Sequence, residues 1–455
     1  MSIVAGRQAE TISRDRPGTQ VSCGYDRREA KGENMFTQVK HRVGAIVGFL
    51  VGAVLAAVAG VVPAPASAAP QGYAPGPGCA WQLMSNSTDL NVAFPDANAT
   101  YWILPYALGP GDSIRLSGTF PAARYFSLNT YGTDLDTVDT LRDNQIRPDA
   151  GSINPFAAPV RMPPPSKRTW HATVVPGAAD HSRNEIRGLP AGGQNVPVGF
   201  LIVRIYVPDD PKSPNGGVTL PNVTFSIAGQ SVPVAPCAQP FNPRNYNGPI
   251  AQALTRVFDD AIGNAASGSF PGDAAEATFV NPASTSGLFP NGDNKYIGSL
   301  LTYRPGRVAV IRGKAPSFPN SRAGQSPATP GEQLRYWSMC QNDKVTSYPV
   351  VACAADYATR IDADGYYTYV VAAPSDLTAQ VAGSDLTVIP WGSTSVPKVV
   401  FLRNMLPSAD FYPNSVQASQ ANKSDPASTM GPYYPRATYC AATTVRTAGW
   451  QACYR

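Results

Sequence analysis

Histidine is scarce in this 455-residue chain, with three in all, and the usual signatures of hydrolytic and phosphoryl chemistry are missing. There is no GxSxG elbow, no HExxH pair, no P-loop and no CxxC spacing. Beyond residue 68 the only histidines are His171 and His181, too few for the common zinc sites. Charge is sparse as well: 15% of residues are charged and the net charge is +5. Without residues 1–68 the balance falls close to neutral, so nothing favours a nucleic-acid partner. Proline (45) and glycine (40) are abundant, which suits short strands joined by turns better than long helices.

The amino terminus reads as an export device. Val43–Val62 is an apolar run without a polar side chain, preceded by Lys40, His41 and Arg42 and followed by the small-residue site Ala66-Ser67-Ala68. That is the layout of a cleaved signal peptide over residues 35–68, and a retained anchor across 43–62 is the competing reading. Residues 1–34 are a patternless leader, and Met35 sits where a start would be expected. A Pro/Gly linker over 69–78 follows.

Seven cysteines occur, and Cys23 lies in the leader. The other six, Cys79, Cys237, Cys340, Cys353, Cys440 and Cys453, lie in the exported part and suggest three disulfides. Spacing narrows the pairings: Cys340 with Cys353 and Cys440 with Cys453 close short loops, and Cys79 with Cys237 clamps a long one. A metal site is the alternative, and without CxxC spacing no metal or cofactor is expected.

The chain contains one unit twice. Pro110, Gly111, Gly118 and Pro121 recur at the same spacing as Pro305, Gly306, Gly313 and Pro316, and Tyr101 recurs as Tyr296. Strands are expected at Ser113–Leu116, Arg124–Thr130, Trp170–Val175 and Phe200–Val207, with counterparts at Tyr366–Val371 and Val399–Leu406. Asp134–Asp143 reads as an acidic turn, lacking the spacing of a calcium loop. The inserts fall in loops, at Ser317–Gln333 in one copy and Asn154–Arg168 in the other. The expected fold class is therefore mainly β: two tandem jelly-roll-like β-sandwich domains, 79–237 and 295–455. A connector over 238–294 carries a short helix at Pro249–Ile262.

The strand at Phe200–Val207 is apolar on both faces except for Arg204, which implies a central position and a buried guanidinium needing a carboxylate or a row of carbonyls. Arg403 holds the same place in the second copy. Asp149 and Asp362, from the repeated Arg147-x-Asp149 and Arg360-x-Asp362, are the expected partners.

RYFSLNTYG at Arg124–Gly132, the Asp364-Gly365 hairpin with YYTYVV, and VGFLIVRIYVP at Val198–Pro208 resemble the bacterial domain of unknown function family 1214, often paired with family 1254. The resemblance covers the strands of both units. It implies a jelly-roll sandwich and brings no established activity. Tyr125-Phe126 stands where that family has an aromatic and Trp, and Asn404 interrupts the second strand.

Three readings of function follow. Aromatics beside arginine make Arg124, Tyr125, Tyr131, Asp149, Arg204, Tyr206, Arg335, Tyr336, Trp337, Asp362 and Arg403 candidates for binding an envelope glycan or an acidic small molecule. No residue is assigned to catalysis, and a carboxylate-based hydrolase using Asp143 and Asp149 is the alternative. A structural module of the cell envelope, membrane-bound only through 43–62, is the third.

Overall fold

The computed structural model describes residues 79–194, 197–238, 259, 262, 276–283, 289–377 and 385–454. The leader, the apolar segment, the linker and most of the expected helix at Pro249–Ile262 lie outside these. Within them, Ile262 is helical and buried with Leu90 and Val92, beside Tyr348.

Ten strands build the first unit: β1 (Leu83–Ser85), β2 (Ala99–Ala107), β3 (Ser113–Thr119), β4 (Ala123–Tyr131), β5 (Thr137–Arg142), β6 (Thr169–Val175), β7 (Glu185–Arg187), β8 (Val198–Pro208), β9 (Asn222–Ile227) and β10 (Gln230–Val234). The second has β11 (Asn294–Leu301), β12 (Arg307–Lys314), β13 (Leu334–Asp343), β14 (Val350–Ala355), β15 (Tyr366–Ala372), β16 (Thr387–Pro390), β17 (Lys398–Pro407) and β18 (Arg436–Ala441). The sheet orders are β1-β2-β8-β4-β5 and β10-β9-β3-β6-β7, then β11-β17-β13-β14 and β16-β15-β12-β18. Pairing is antiparallel except at β6 with β7 and β15 with β16, which are parallel in both units.

The two units therefore share one topology. Strands β2, β8, β4 and β5 correspond to β11, β17, β13 and β14, and the slot beside β3 filled by β9 is filled beside β12 by β18. The chain reaches β18 through helices that sequence patterning had not suggested, α1 (Val416–Ala421) and α2 (Pro426–Met430), and β18 is followed by α3 (Ala442–Ala448) and a 3₁₀ turn at Trp450–Tyr454. Ser415 and Asp425 cap the first two with side-chain oxygens.

The repeated glycines have local causes. Gly111 and Gly306 turn the chain at φ +83° and +73°. Gly118 lies opposite Trp170, and Gly313 opposite Tyr367, in the pairings of β3 with β6 and β12 with β15. A Cβ at either position would sit 2.5 Å from the facing ring system, at Trp170 Cζ2 or Tyr367 Oη. Each sandwich core thus seats an aromatic side chain over a glycine.

Leu104, Phe126, Leu128, Leu201 and Val203 meet Ile114, Leu116, Trp170, Val174 and Phe225 inside the first sandwich. Ile297, Met339, Val400 and Leu402 meet Ala309, Ile311, Tyr369 and Val371 inside the second. Strand β8 is central and buried on both faces, as its composition implied. Its second face does not look at solvent: Tyr206 and Tyr125 cluster with Tyr336, Ala355 and Met405 of the other unit. The sheets containing β8 and β17 are therefore stacked on each other, and their backs face the two cores.

All three disulfides join the cysteines that spacing paired: Cys79–Cys237, Cys340–Cys353 and Cys440–Cys453. They suit an oxidising compartment. Among the described residues no helix is long and apolar enough to cross a membrane. The acidic stretch Asp134–Asp143 is not all turn; most of it is the edge strand β5 (Thr137–Arg142).

Candidate functional site at the junction of the units

Where the two central sheets meet, the repeated side chains cross over. Arg124, at the start of β4, reaches the second unit and bonds Asp356 at 2.9 Å, with both side chains fully buried. Arg335, its counterpart at the start of β13, reaches back and bonds Asp143 at 3.2 Å. Each aspartate opens a short 3₁₀ turn after a hairpin, Asp143–Gln145 after β5 and Asp356–Ala358 after β14. Each also accepts backbone N–H groups: Asp143 from Phe126 and Asn144, Asp356 from Trp337 and Tyr357. Each carboxylate is thus held by two backbone N–H groups as well as by the opposing arginine.

The next residue along each strand repeats the exchange. Tyr125 donates to Asp293 at 2.8 Å and Tyr336 donates to Asp96 at 2.9 Å, again between units. Arg142 adds a second bond to Asp293 at 2.6 Å. Phe289 leans on Tyr131 and Phe200 of the first unit, whereas Phe94 packs on Tyr348 and Phe401 of the second. The junction is an internal two-fold in which each copy supplies what the other lacks. The insert at Ser317–Gln333 closes one side: Ser321 Oγ accepts from Arg124 Nε at 3.2 Å, and the Phe318 ring lies 5.2 Å from that guanidinium.

At the centre are the two strand arginines. Arg204 stands opposite Tyr101 and Ser127, and Arg403 opposite Tyr296 and Ser338, so the equivalence read from the sequence holds in register. Each lies over its tyrosine, at 4.9 and 5.0 Å from the ring centre. Their partners differ. Arg403 bonds the Asp96 carboxylate and Ser338 Oγ. Arg204 bonds the Tyr131 hydroxyl at 2.7 Å and the Phe289 carbonyl at 2.6 Å. Tyr206 sits between them, bonded to Tyr101 at 2.8 Å and receiving Asn294 Nδ2 at 3.1 Å.

The expected pairs Arg204–Asp149 and Arg403–Asp362 are not formed. The Arg-x-Asp segments lie against β6 and β15 in the outer sheets, where Pro148 bridges Trp170 and Ile361 bridges Tyr367. Asp149 bonds exposed His171 at 2.7 Å. Asp362 pairs with Arg312 at 2.7 Å and accepts the N–H of Asp364 and of Tyr366. Of the remaining candidates, Trp337 faces its own core and donates to the Pro316 carbonyl, while Tyr125, Tyr131, Tyr206 and Tyr336 are buried at the junction.

Burial sets the electrostatics here. It pushes the Asp356 carboxyl up to about 6 against the opposing pull of Arg124, and raises Asp143 against that of Arg335. Burial likewise lifts the hydroxyls of Tyr125, Tyr206 and Tyr336 far above the usual phenol range, so they act as donors and acceptors, not acids.

Asp96, Asp293 and Asp356 had not been singled out from the sequence. One signal for the first two was present: Phe94-Pro95 and Phe289-Pro290 stand at one fixed spacing before Tyr101 and Tyr296, with an aspartate shortly after each.

No family model matches the chain, and no curated protein matches it. Solved structures with a similar course include an uncharacterized protein from Burkholderia cenocepacia, 13% identical, covering 91% of this chain and 98% of that one with a TM-score of 0.48. The VPA0106 protein from Vibrio parahaemolyticus is 12% identical, covering 76% and 89% with a TM-score of 0.35. The likeness to family 1214 rests on the strand motifs alone.

Chemically, the junction binds itself. Ligand atoms of Asp96, Cys340 and Cys353 lie within 4.8 Å of one another, but the two sulfurs are joined and Arg403 holds the carboxylate. Asp143, considered for hydrolysis, is fully buried and bonded to Arg335 and two backbone N–H groups. Among the candidates, Asp149 with His171 is the pair that faces outward.

Proposed function

We propose that the protein is an exported interaction module of the cell envelope, a double sandwich that presents its outer loops to a partner and uses its arginine–tyrosine cluster to hold itself together. The carrying observation is the reciprocal junction. Arg124, Arg335 and Arg403 each bond an aspartate from the opposite unit, so the residues best suited to grip an acidic ligand are committed internally. Crosslinks within each unit and the apolar run at 43–62 support export, with a retained anchor as the variant of the same reading.

The surface that remains includes the rim of the first sandwich, where Asp149 bonds exposed His171 of β6 and where Ile153 is also exposed. A carboxylate beside an imidazole at the exposed rim of the first sandwich offers acceptors and a donor suited to the hydroxyls of a glycan. The test is a glycan array and an envelope-extract pull-down with residues 69–455, using Asp149→Asn with His171→Gln and, separately, Arg204→Met. Retention of one ligand class that the first variant loses and the second keeps supports the reading. Loss through Arg204→Met, with folding intact, would move binding to the junction and overturn it.

A further inference from the structure

The two units disagree at one place in a coordinated way, and the disagreement is chemical. On β13 and β14, Cys340 and Cys353 face each other directly and are bonded. The matching hairpin of β4 and β5 has Asn129 facing Thr140, joined by a 2.9 Å hydrogen bond. The hairpin therefore closes without a covalent link in one copy. At the same spot Arg403 has Asp96 as partner, whereas Arg204 has a phenol and a carbonyl.

We propose that the Cys340–Cys353 disulfide is a thiol–disulfide exchange site for thiolate reductants, with Cys353 the sulfur attacked and Cys340 the leaving sulfur. Cys353 is half-buried on the edge strand β14, and Cys340 is 1% exposed on the neighbouring strand. Arg403 Nη1 lies 3.3 Å from Cys340 Sγ, and Ser338 Oγ lies 3.5 Å from it. A cation and a hydroxyl at the buried sulfur lower the cost of a thiolate there, which speeds its departure. Among the described residues, Cys353 Sγ receives only the backbone N–H of exposed Ala97, at 3.3 Å.

The step balances. An entering thiolate forms a bond to Cys353 Sγ, the S–S bond breaks, and Cys340 leaves with the electron pair as a thiolate beside Arg403. A second thiolate, from the same dithiol or a second monothiol, attacks the mixed disulfide and releases Cys353. Two electrons thereby pass from the reductant, which ends as a disulfide. The new Cys340 thiolate then competes with Asp96 for one guanidinium, and Asp96 belongs to the first unit and also holds Tyr336 and Ser338. Reduction is thus felt across the junction.

The experiment uses the exported chain, residues 69–455, pulsed with dithiothreitol, quenched with iodoacetamide and mapped by peptide mass spectrometry. Cys340 and Cys353 are expected to be alkylated before the other four cysteines, and a glutathione pulse to leave its adduct on Cys353 with Cys340 alkylated. Arg403→Gln should slow opening about threefold to tenfold, because the departing Cys340 thiolate loses its neighbouring cation. Asp96→Asn, which frees Arg403 for the sulfur, should speed it. If Arg403→Gln fails a near-ultraviolet circular dichroism check, Asp96→Asn carries the test. Earlier opening of Cys79–Cys237 or Cys440–Cys453, an adduct on Cys340, or an unchanged rate in folded Asp96→Asn would each overturn the proposal.

Discussion

Single residues at this junction differ in what their removal leaves behind, and that difference ranks their mutants. Arg403→Met leaves the fully buried Asp96 carboxylate without its cation and should cost about 3–5 kcal/mol. Arg204→Met strands only a phenol and a carbonyl, so a loss nearer 1–2 kcal/mol is expected although the two arginines are equivalent in register. Urea midpoints of the two variants decide this; equal losses would mean that Asp96 is not what distinguishes them. Gly118→Ala tests the other kind of residue. Its Cβ would press on the fully buried Trp170, and overpacking of that sort costs about 1–3 kcal/mol, against little change for an Ala at Gly177, where the Cβ meets nothing. Glycine at these positions was visible in the sequence as a repeat, yet the reason for it was not, because Trp170 lies on a strand far along the chain.

At the scale of elements, strands were legible and their partners were not. Phe200–Val207 announces a central strand by being apolar on both faces, and β8 is one. Nothing in that stretch says which carboxylate answers which arginine. Asp96 lies 307 residues from Arg403, across a unit boundary, whereas the aspartates nearest in pattern, Asp149 and Asp362, sit on turns of the outer sheets. The 3₁₀ turns that carry Asp143 and Asp356 also give the junction its pH dependence. Asp356 has its carboxyl raised from the ordinary 3.8 to about 6, so the fold favours its protonated form. Its contribution to stability is full below about pH 4 and is lost as pH rises through 6. At about 1.4 kcal/mol per unit this amounts to roughly 3 kcal/mol. Asp143 shifts in the same direction. Asp362 is lowered, first opposed by burial and then overcome by backbone N–H groups and Arg312, so its stabilisation is lost only at more acid pH. The urea midpoint of the wild type should therefore rise from pH 7.5 to 5, and the rise should shrink in Asp356→Asn. A midpoint that falls over that interval in both proteins would contradict the assignment.

For the whole molecule, the question is whether two sandwiches behave as two bodies or as one. Each has its own core and its own crosslinks; Cys79–Cys237 spans 158 residues of the first, and the two short bridges lie in the second. Taken alone these would unfold separately, the first unit gaining about 5 kcal/mol from its long loop closure. The junction opposes that independence, because unfolding either unit exposes the partner of a buried charge in the other. Arg124 leaves Asp356, Arg335 leaves Asp143, and Tyr125 and Tyr336 leave Asp293 and Asp96. One calorimetric transition is therefore expected for residues 69–455. In Arg124→Met with Arg335→Met the coupling turns into a penalty, since both aspartates are then desolvated without their cations. That variant should show two resolved transitions, with the unit released first identified by loss of its own near-ultraviolet signal. If the double variant instead melts in a single step at a lower temperature, the apolar contacts around Tyr206, Tyr336 and Met405 are sufficient to couple the units, and the crossed ion pairs serve register alone.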